Sequence, residues 1–558
     1  MRKKRILFCG EATFLNTGYA TYNREILTYL HSTGKYELAE LSAYGELNDA
    51  RGDSIPWKFY GAMPNMNSEP KSSQEEINDY GSKATNQFGE WSFERVCLDF
   101  LPDVVCDIRD FWMLDFAERS PYRPYFKWCI MPTVDARPQA RQWISTYKSA
   151  DACLTYSDWA GGILDDQSGG KINYLGSSPP SAHAAYQQKD KKQLREKYDL
   201  DPNAKIIGTV MRNQRRKLYP DLFEAFKMFL DKSEDKNCYL YCHTSYPDLG
   251  WDVPELLHQH GIASKVLFTY ICPETKMPFA SIFRGAITES PYTRKFNAEL
   301  SSVKSGASYE QLSDIINLFD LYVQYANSEG FGLPQVEAAA CGVPVMSTDY
   351  SAMESVIRKL GGTPLPPKAL YKELETGCFR AVPDNENTAK EFLKFFSKTD
   401  DERKADSNNV RSNFEEFYQW DKSGKVWESY FDSVDIPPIE QTWASQPLLQ
   451  PSAPKIKVDY NTMTQSQVAK WLIVEVLREP RFLNTFFEAR LTRDLIYNTS
   501  TASTGGMYFN EESAAFEGRN TRQAFNFDIA YDHFSQLNQR RMHWENIRVE
   551  SMKQRMQY

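Results

Sequence analysis

Glu329 and Glu337 stand eight positions apart in the run Asn-Ser-Glu-Gly-Phe-Gly-Leu-Pro-Gln-Val-Glu-Ala-Ala-Ala-Cys-Gly-Val-Pro-Val-Met-Ser, residues 327–347. Between them a Gly-Phe-Gly-Leu-Pro turn opens a short helix of small residues. Gly330 and Gly332 let the backbone approach a ligand closely and reach positive φ. Pro334 suits the first helical position, where its missing N–H costs nothing. The free amides of such a helix start form an anion site suited to phosphate. Glu329 precedes the turn and Glu337 lies about one turn into the helix, so the two carboxylates can face one ligand from different sides. Carboxylates accept hydrogen bonds from hydroxyls. A carboxylate pair beside a phosphate cradle suits a nucleotide-sugar.

Such a site needs rigid strand ends and helix starts to hold it. The first part of the chain alternates strand and helix: a strand at 5–9, a loop at 10–17, then Gly18 and a helix at 19–30. Further strands are expected at 102–108, 125–131 and 152–157, with helices at 137–149 and 158–165. Residues 176–190 are polar and turn-rich and read as a linker. A second unit follows, with strands at 205–211, 238–242, 266–270 and 321–325 and helices at 219–230 and 309–318. Repeated alternation argues for parallel sheets. Residues 411–433 are helical. Two parts fall outside this plan. Residues 272–307 are long, rich in Pro, Ser, Thr and Arg, and lack period, as functional or disordered loops do. A Pro/Gln/Ser-rich linker at 437–454 leads to an extension with helices at 465–478, 481–497 and about 520–554.

The run from Glu329 to Glu337 resembles the Glu-x7-Glu motif of the retaining GT-B glycosyltransferases, the glycosyltransferase family 4 group (glycosyl transferases group 1). That resemblance implies an α/β fold of two Rossmann-like domains facing a cleft, here with a mainly helical C-terminal extension. The implied boundaries are 1–176 for the acceptor-side domain and 177–410 for the nucleotide-sugar domain with its insertion at 272–307. Residues 411–433 would form a helical segment able to cross back to the first domain, and 437–558 the linker and extension. By the same resemblance Glu337 holds the ribose hydroxyls and Glu329 contacts the transferred sugar. Amides of Gly330, Phe331, Gly332 and Leu333 would contact sugar and phosphate, and backbone near Tyr270 would hold the base. Arg212 and Lys217, after the 205–211 strand, look like the family's Arg-x4-Lys pair. Two fixed cations at a strand end neutralise a pyrophosphate leaving group; a solvated basic turn is the plainer reading.

In the first domain, Thr17-Gly18-Tyr19 looks like the glycine loop that approaches the donor phosphates, with Asn16 beside it. An empty strand–helix turn is the alternative, because the spacing is not a full Gly-x-Gly-x-x-Gly. Asp110 and Trp112 end a strand where an acceptor would enter, and Asp135 follows Met131-Pro-Thr-Val. Many relatives place a His near here, and this chain has none. No Asp-x-Asp sits at a strand end, so no metal is expected. The resemblance implies no cofactor beyond a UDP- or GDP-sugar, retention of anomeric configuration, and a donor phosphate oxygen as proton acceptor. Two other readings compete: a GT-B-like nucleotide-sugar epimerase, and a non-catalytic scaffold binding a partner through its C-terminal helices.

Composition bounds the rest. A chain of 558 residues exceeds one core, and its 41% apolar and 25% charged content is ordinary for a globular protein. No apolar stretch reaches membrane-spanning length, and the first apolar run is too short for a signal peptide. Ten cysteines without Cys-x-x-Cys spacing point to reduced, buried thiols and a cytoplasmic setting. Cys238, Cys242 and His243 read as a buried strand rather than a metal site. A net charge of −9 argues against a protein coated for nucleic acid, while leaving room for a local basic groove. The acceptor is open: a glycan, lipid, protein or modified DNA base. Arg284, Arg294, Lys295 and Lys304, with Tyr292 and Phe296 among them, could track a nucleic acid strand; a solvated lid is the reading preferred. The segment Gln539-Arg-Arg-Met-His-Trp544 is expected on an oligomer helix.

Overall fold

The computed structural model describes residues 2–285, 290–294, 297–302, 305–455, 462–500, 506–510, 515–521 and 527–556. The first sheet contains β1 (Lys4–Glu11), β2 (Tyr36–Glu46), β3 (Lys58–Met63), β4 (Val104–Arg109), β5 (Lys127–Pro132), β6 (Ala152–Thr155) and β7 (Tyr174–Ser177). All seven run parallel in the order β3-β2-β1-β4-β5-β6-β7. The apolar run of β1 is covered on both faces, as a central parallel strand must be: Ile6, Leu7, Phe8 and Cys9 are all buried. The helix Gly18–Thr33 packs Ile26, Leu27 and Leu30 on one face of that sheet. Thr17 caps it by accepting from the Ala20 amide, and Gly34 ends it at φ 65°.

The second sheet contains β8 (Lys205–Val210), β9 (Cys238–His243), β10 (Val266–Ile271), β11 (Pro278–Ile282), β12 (Glu299–Leu300), β13 (Leu321–Gln324), β14 (Val345–Thr348) and β15 (Thr363–Leu365). Its order is β11-β10-β9-β8-β13-β14-β15. The described parts of 272–307 are thus not a structureless loop. β11 and β12 both pair antiparallel with β10, which gives a parallel sheet a mixed edge. Tyr292, expected among exposed basic residues, is buried against Tyr239. Lys295, Phe296 and Lys304 lie outside the described residues. A separate hairpin, β16 (Ala369–Lys372) and β17 (Phe379–Val382), stands off this sheet.

In each sheet the strand order reverses once, between β1 and β4 and between β8 and β13. Open α/β sheets bind ligands at the carboxyl ends of the strands beside such reversals. Here those ends carry the Gly18 loop and Asp110 in one domain, and Arg212 and Glu329 in the other.

The helix Trp420–Ser433 returns to the first domain. Trp427 donates to the Tyr22 hydroxyl at 3.0 Å, and Tyr36 donates to Asp432 at 2.6 Å. The segment expected as a bare linker at 437–454 is anchored by Trp443, whose indole donates to the Pro102 carbonyl at 3.2 Å. The extension contains helices Gln465–Trp471, Phe486–Ser500 and Phe527–Met556. An antiparallel pair, β18 (Gly506–Asn510) and β19 (Ala515–Thr521), precedes the last helix, so residue 520, where that helix was expected to start, is in a strand. Two residues of the 539–544 segment make contacts within the chain. Tyr122 donates to the Trp544 carbonyl at 2.6 Å, and Arg541 pairs with Glu479. No helix among the described residues is long and apolar enough to cross a membrane. The ten cysteines are free.

Candidate active site

The loop after β8 and the loop after β13 are zipped together by main-chain hydrogen bonds. Asn327 N–H donates to the Arg216 carbonyl at 2.9 Å, and Leu218 N–H to the Tyr325 carbonyl at 3.1 Å. This fixes the cation loop against the carboxylate loop. Lys217 Nζ therefore contacts Glu329 Oε1, and Arg216 Nε stands 3.7 Å from Glu329 Oε2. Gln324 donates to the same carboxylate at 3.2 Å, and the Glu329 amide donates to Ser351 Oγ at 2.9 Å. Burial, then the charge of Arg216, lowers the Lys217 pKa well below the ordinary lysine value. The Glu329 carboxylate in contact with it is what favours its charged form.

Gly332 takes φ 85° as the cap of the helix Leu333–Ala340, with Pro334 at its second position, one residue later than expected. Gly330 needs to be glycine for another reason: a Cβ there would lie 2.4 Å from Thr133 Cγ2 of the first domain. The amides of Gly330 and Phe331 take no partner among the described residues. Glu337 is buried on the helix, and burial pushes its pKa up to about 7 against a hydrogen bond from Tyr186.

A cavity of about 850 Å³ opens between the domains, lined by Asn16, Gly18, Arg212, Leu333 and Glu337. Nothing approaches within 4 Å of where a Cβ on Gly18 would lie, so that backbone is open to a ligand. Arg212 lines the cavity while its guanidinium pairs with Asp248 at 2.7 Å. The expected Arg212/Lys217 clamp is thus not assembled as a unit: each cation has its own carboxylate.

Tyr270 does not line this cavity. Its hydroxyl accepts from the Arg284 amide at 3.0 Å, its ring stacks on Phe279, and β11 and β12 take up the backbone of β10. The far end of the cavity is made instead by His243, Ser301 and Tyr309. His243 is held neutral by burial, its pKa pushed down to about 4, with Nδ1 3.0 Å from Thr269 Oγ1. Tyr309 stacks on His183 at 4.4 Å.

On the first-domain side, Tyr19 donates to Asp110 at 2.9 Å and lies 2.5 Å from Thr133 Oγ1. Burial raises the Asp110 pKa against the hydrogen bonds from Tyr19 and Thr133. Asp135 pairs with Arg380 of the second domain at 2.7 Å, and Arg380 also holds Glu373 at 2.9 Å. Trp112 is half exposed, packs its ring on Phe88 and does not line this cavity. Sequence reading passed over Arg216 and Arg380. The run Arg215-Arg216-Lys217 carried a signal for Arg216. Arg380 carried none, because only the hairpin fold brings it to Asp135.

Residues 298–410 match the family model of the glycosyl transferases group 1. No curated protein matches the sequence. Among solved structures, the chain is similar to sucrose-phosphate synthase from Thermosynechococcus elongatus at 14% identity and TM-score 0.53, covering 78% of this chain and 100% of that one. It is similar to a glycosyltransferase from Rickettsia africae at 15% identity and TM-score 0.52, covering 77% and 98%. It is also similar to an E. coli trehalose-6-phosphate protein bound with UDP-2-fluoro glucose at 12% identity and TM-score 0.51, covering 77% and 100%. At these identities the structural likeness is one of fold, and that fold is GT-B. Residues 298–410 are a glycosyltransferase domain.

Proposed function

We propose that this GT-B glycosyltransferase enzyme moves a sugar from a nucleoside-diphosphate sugar to an acceptor hydroxyl, with retention and without a metal. The observation that carries this reading is the placement of Glu337 and Arg212 in one interdomain cavity, where the lining residue Leu333 follows the Glu329 turn in sequence. Glu337 accepts from the ribose hydroxyls and Glu329 from the sugar hydroxyls. On this reading Lys217, Arg216 and the amides of Gly330 and Phe331, gathered round Glu329, serve the diphosphate and sugar. Positioned donors of this kind stabilise the charge that develops on a leaving phosphate.

In the reaction the bond from the anomeric carbon to the phosphate oxygen breaks. A bond from that carbon to the acceptor oxygen forms on the same face, and the acceptor proton passes to a phosphate oxygen of the leaving nucleotide. Free, buried thiols fit a cytoplasmic setting.

The test is to incubate the full chain with labelled UDP- and GDP-sugars and glycan, lipid, protein and DNA acceptors. Nucleotide release and product anomer are followed together. Transfer with retention, lost in Glu329→Ala, is expected. Isomerised donor without transfer, or turnover unchanged in Glu329→Ala, would overturn the reading.

A further inference from the structure

A cavity of about 650 Å³ lies where the C-terminal extension meets the first domain, and it shares no lining residue with the donor cavity. One wall is the helix Arg141–Ser149, and the other is the segment 481–486 that leads into the helix Phe486–Ser500. Arg141, Ser145 and Lys148 stand four and three positions apart, so all three fall on one face of the first helix. That face meets the extension directly, because the Phe486 amide donates to Ser145 Oγ at 3.4 Å. Gln139 and Gln167 complete the first-domain side, tied by a bond from the Gln139 amide to Gln167 Oε1 at 2.8 Å.

Three cations line this cavity, Arg141, Lys148 and Arg481, and among the described residues no Asp or Glu does so, in a chain whose net charge is −9. The side chains of Arg141 and Lys148 are exposed and make no ion pair or hydrogen bond among the described residues. Arg481 pairs with Glu479, but Arg541 holds the same carboxylate. The neighbouring acids are engaged by other donors: Glu118 accepts from Ser149 Oγ at 2.5 Å, and Glu488 from the Asn484 amide at 2.7 Å. Like charges gathered at one site repel, and a bound anion relieves them. Apart from the cations the lining is mostly amides and hydroxyls; its apolar residues are Ile144 and Phe486, and neither is exposed. A membrane-binding face needs exposed apolar side chains, and a nucleic acid strand needs exposed rings for stacking. A cavity of this size suits a small molecule instead. A phosphomonoester carries about −1.5 to −2 charge at pH 7 and three acceptor oxygens, which matches the two unanswered cations.

We propose that this cavity binds a small, soluble phosphomonoester, its phosphate held by Arg141 and Lys148 of the first domain and Arg481 of the extension. The two walls belong to separate parts of the chain, so the bound phosphate bridges them. A ligand that binds only the docked arrangement stabilises it, and the extension is held more firmly on the first domain when the site is filled.

The test is calorimetric titration of glycerol 3-phosphate into the full chain, with and without saturating UDP. Sulfate, glycerol, phosphatidic acid vesicles and a single-stranded oligonucleotide are run as comparisons. Glycerol 3-phosphate is expected to bind equally well in both arms and to raise the melting midpoint. Arg141→Ala and Lys148→Ala are each expected to weaken it at least about fivefold and to remove most of that rise. Both side chains are exposed and without partners among the described residues, so the ligand-free melting midpoints of the variants should match that of the unsubstituted chain. Absence of binding at about 1 mM, or affinity unmoved by both substitutions, would overturn the proposal. Displacement by UDP would overturn it too, by placing the phosphate in the donor cavity. Equal affinity for sulfate would overturn the phosphate ester as the ligand class. Tighter binding of the vesicles or the oligonucleotide would overturn the small molecule in favour of a lipid surface or a strand.

Discussion

The amine of Lys217 rests against the carboxylate of Glu329, and both side chains are less than a tenth exposed. On the proposed reading a bound donor shares this pair: Glu329 turns to sugar hydroxyls while Lys217 turns to phosphate. Breaking a buried pair from one side leaves an uncompensated charge, at about 3–5 kcal/mol. Lys217→Met should therefore lower the thermal midpoint strongly. Lys217→Met with Glu329→Gln should recover much of the stability and none of the donor turnover. Melting curves and nucleotide release on the two single variants and the double variant check this. Additive stability losses would mean the two groups do not share an interaction.

Glu337 gives the donor site a pH dependence. Its pKa in the ligand-free protein stands at about 7, so it is ionised above that pH and carries a proton below it. Only the ionised form accepts from both ribose hydroxyls. Donor affinity should hold above about pH 7 and fall up to about tenfold per unit below it. Glu337→Gln should bind weakly and flatten the profile. Nucleotide titrations from pH 5.5 to 8.5 measure both, and a flat profile in the unsubstituted protein removes Glu337 from ribose binding.

Gly330 and Thr133 meet across the cleft. A Cβ at position 330 would lie 2.4 Å from Thr133 Cγ2, so Gly330→Ala must push the domains apart locally. Overpacking of this kind costs about 1–3 kcal/mol. Donor turnover should fall, and Thr133→Ser, which deletes the offending methyl, should restore most of it in the double variant. Equal defects with and without Thr133→Ser would show that the contact is not what constrains this turn.

The leaving phosphate is expected to be stabilised by Arg212, Arg216, Lys217 and main-chain amides. Sugar transfer should then persist in excess chelator with no change beyond about twofold. Nucleotide release measured with and without added Mg²⁺ decides it, and a strict requirement for the ion would replace this account of leaving-group stabilisation.

How far the sequence carried depended on range. Local signals held well: the alternation of strand and helix and the small-residue helix from Leu333 follow from residues within a few positions of each other. What failed to show was long-range pairing. Nothing within 272–307 announces that β11 and β12 will pair with β10 and take its backbone away from a ligand. Tyr270 is absent from the lining of the cavity for that reason. Arg380 looks like any hairpin cation until the fold sets it 2.7 Å from Asp135, 245 positions away. The charge partners of Arg212 and Lys217 were hidden similarly. The cations were legible, whereas Asp248 and the contact with Glu329 depend on loop geometry.

Trp443 shows what a polar-looking connecting segment can hide. Its side chain is 1% exposed, its indole donates to the Pro102 carbonyl, and its ring packs on Tyr122 and Tyr125 of the first domain. Its carbonyl accepts from Arg548 on the last helix, which in turn pairs with the buried Glu545 at 2.9 Å. One residue thus ties the connecting segment, the last helix and the first domain together. Truncating a buried Trp costs about 3–5 kcal/mol. Trp443→Ala should lower the thermal midpoint of the full chain by several degrees. Arg548→Met should do so as well, by leaving Glu545 buried without its cation. Because both act through the same junction, the double variant should lose less than the sum of the two. Donor affinity, set in the cavity between the domains, should change little while the protein remains folded. Strictly additive losses would mean that Trp443 and Arg548 stabilise separate parts of the molecule. Unchanged melting in Trp443→Ala would mean that the extension is not clamped to the first domain by this residue.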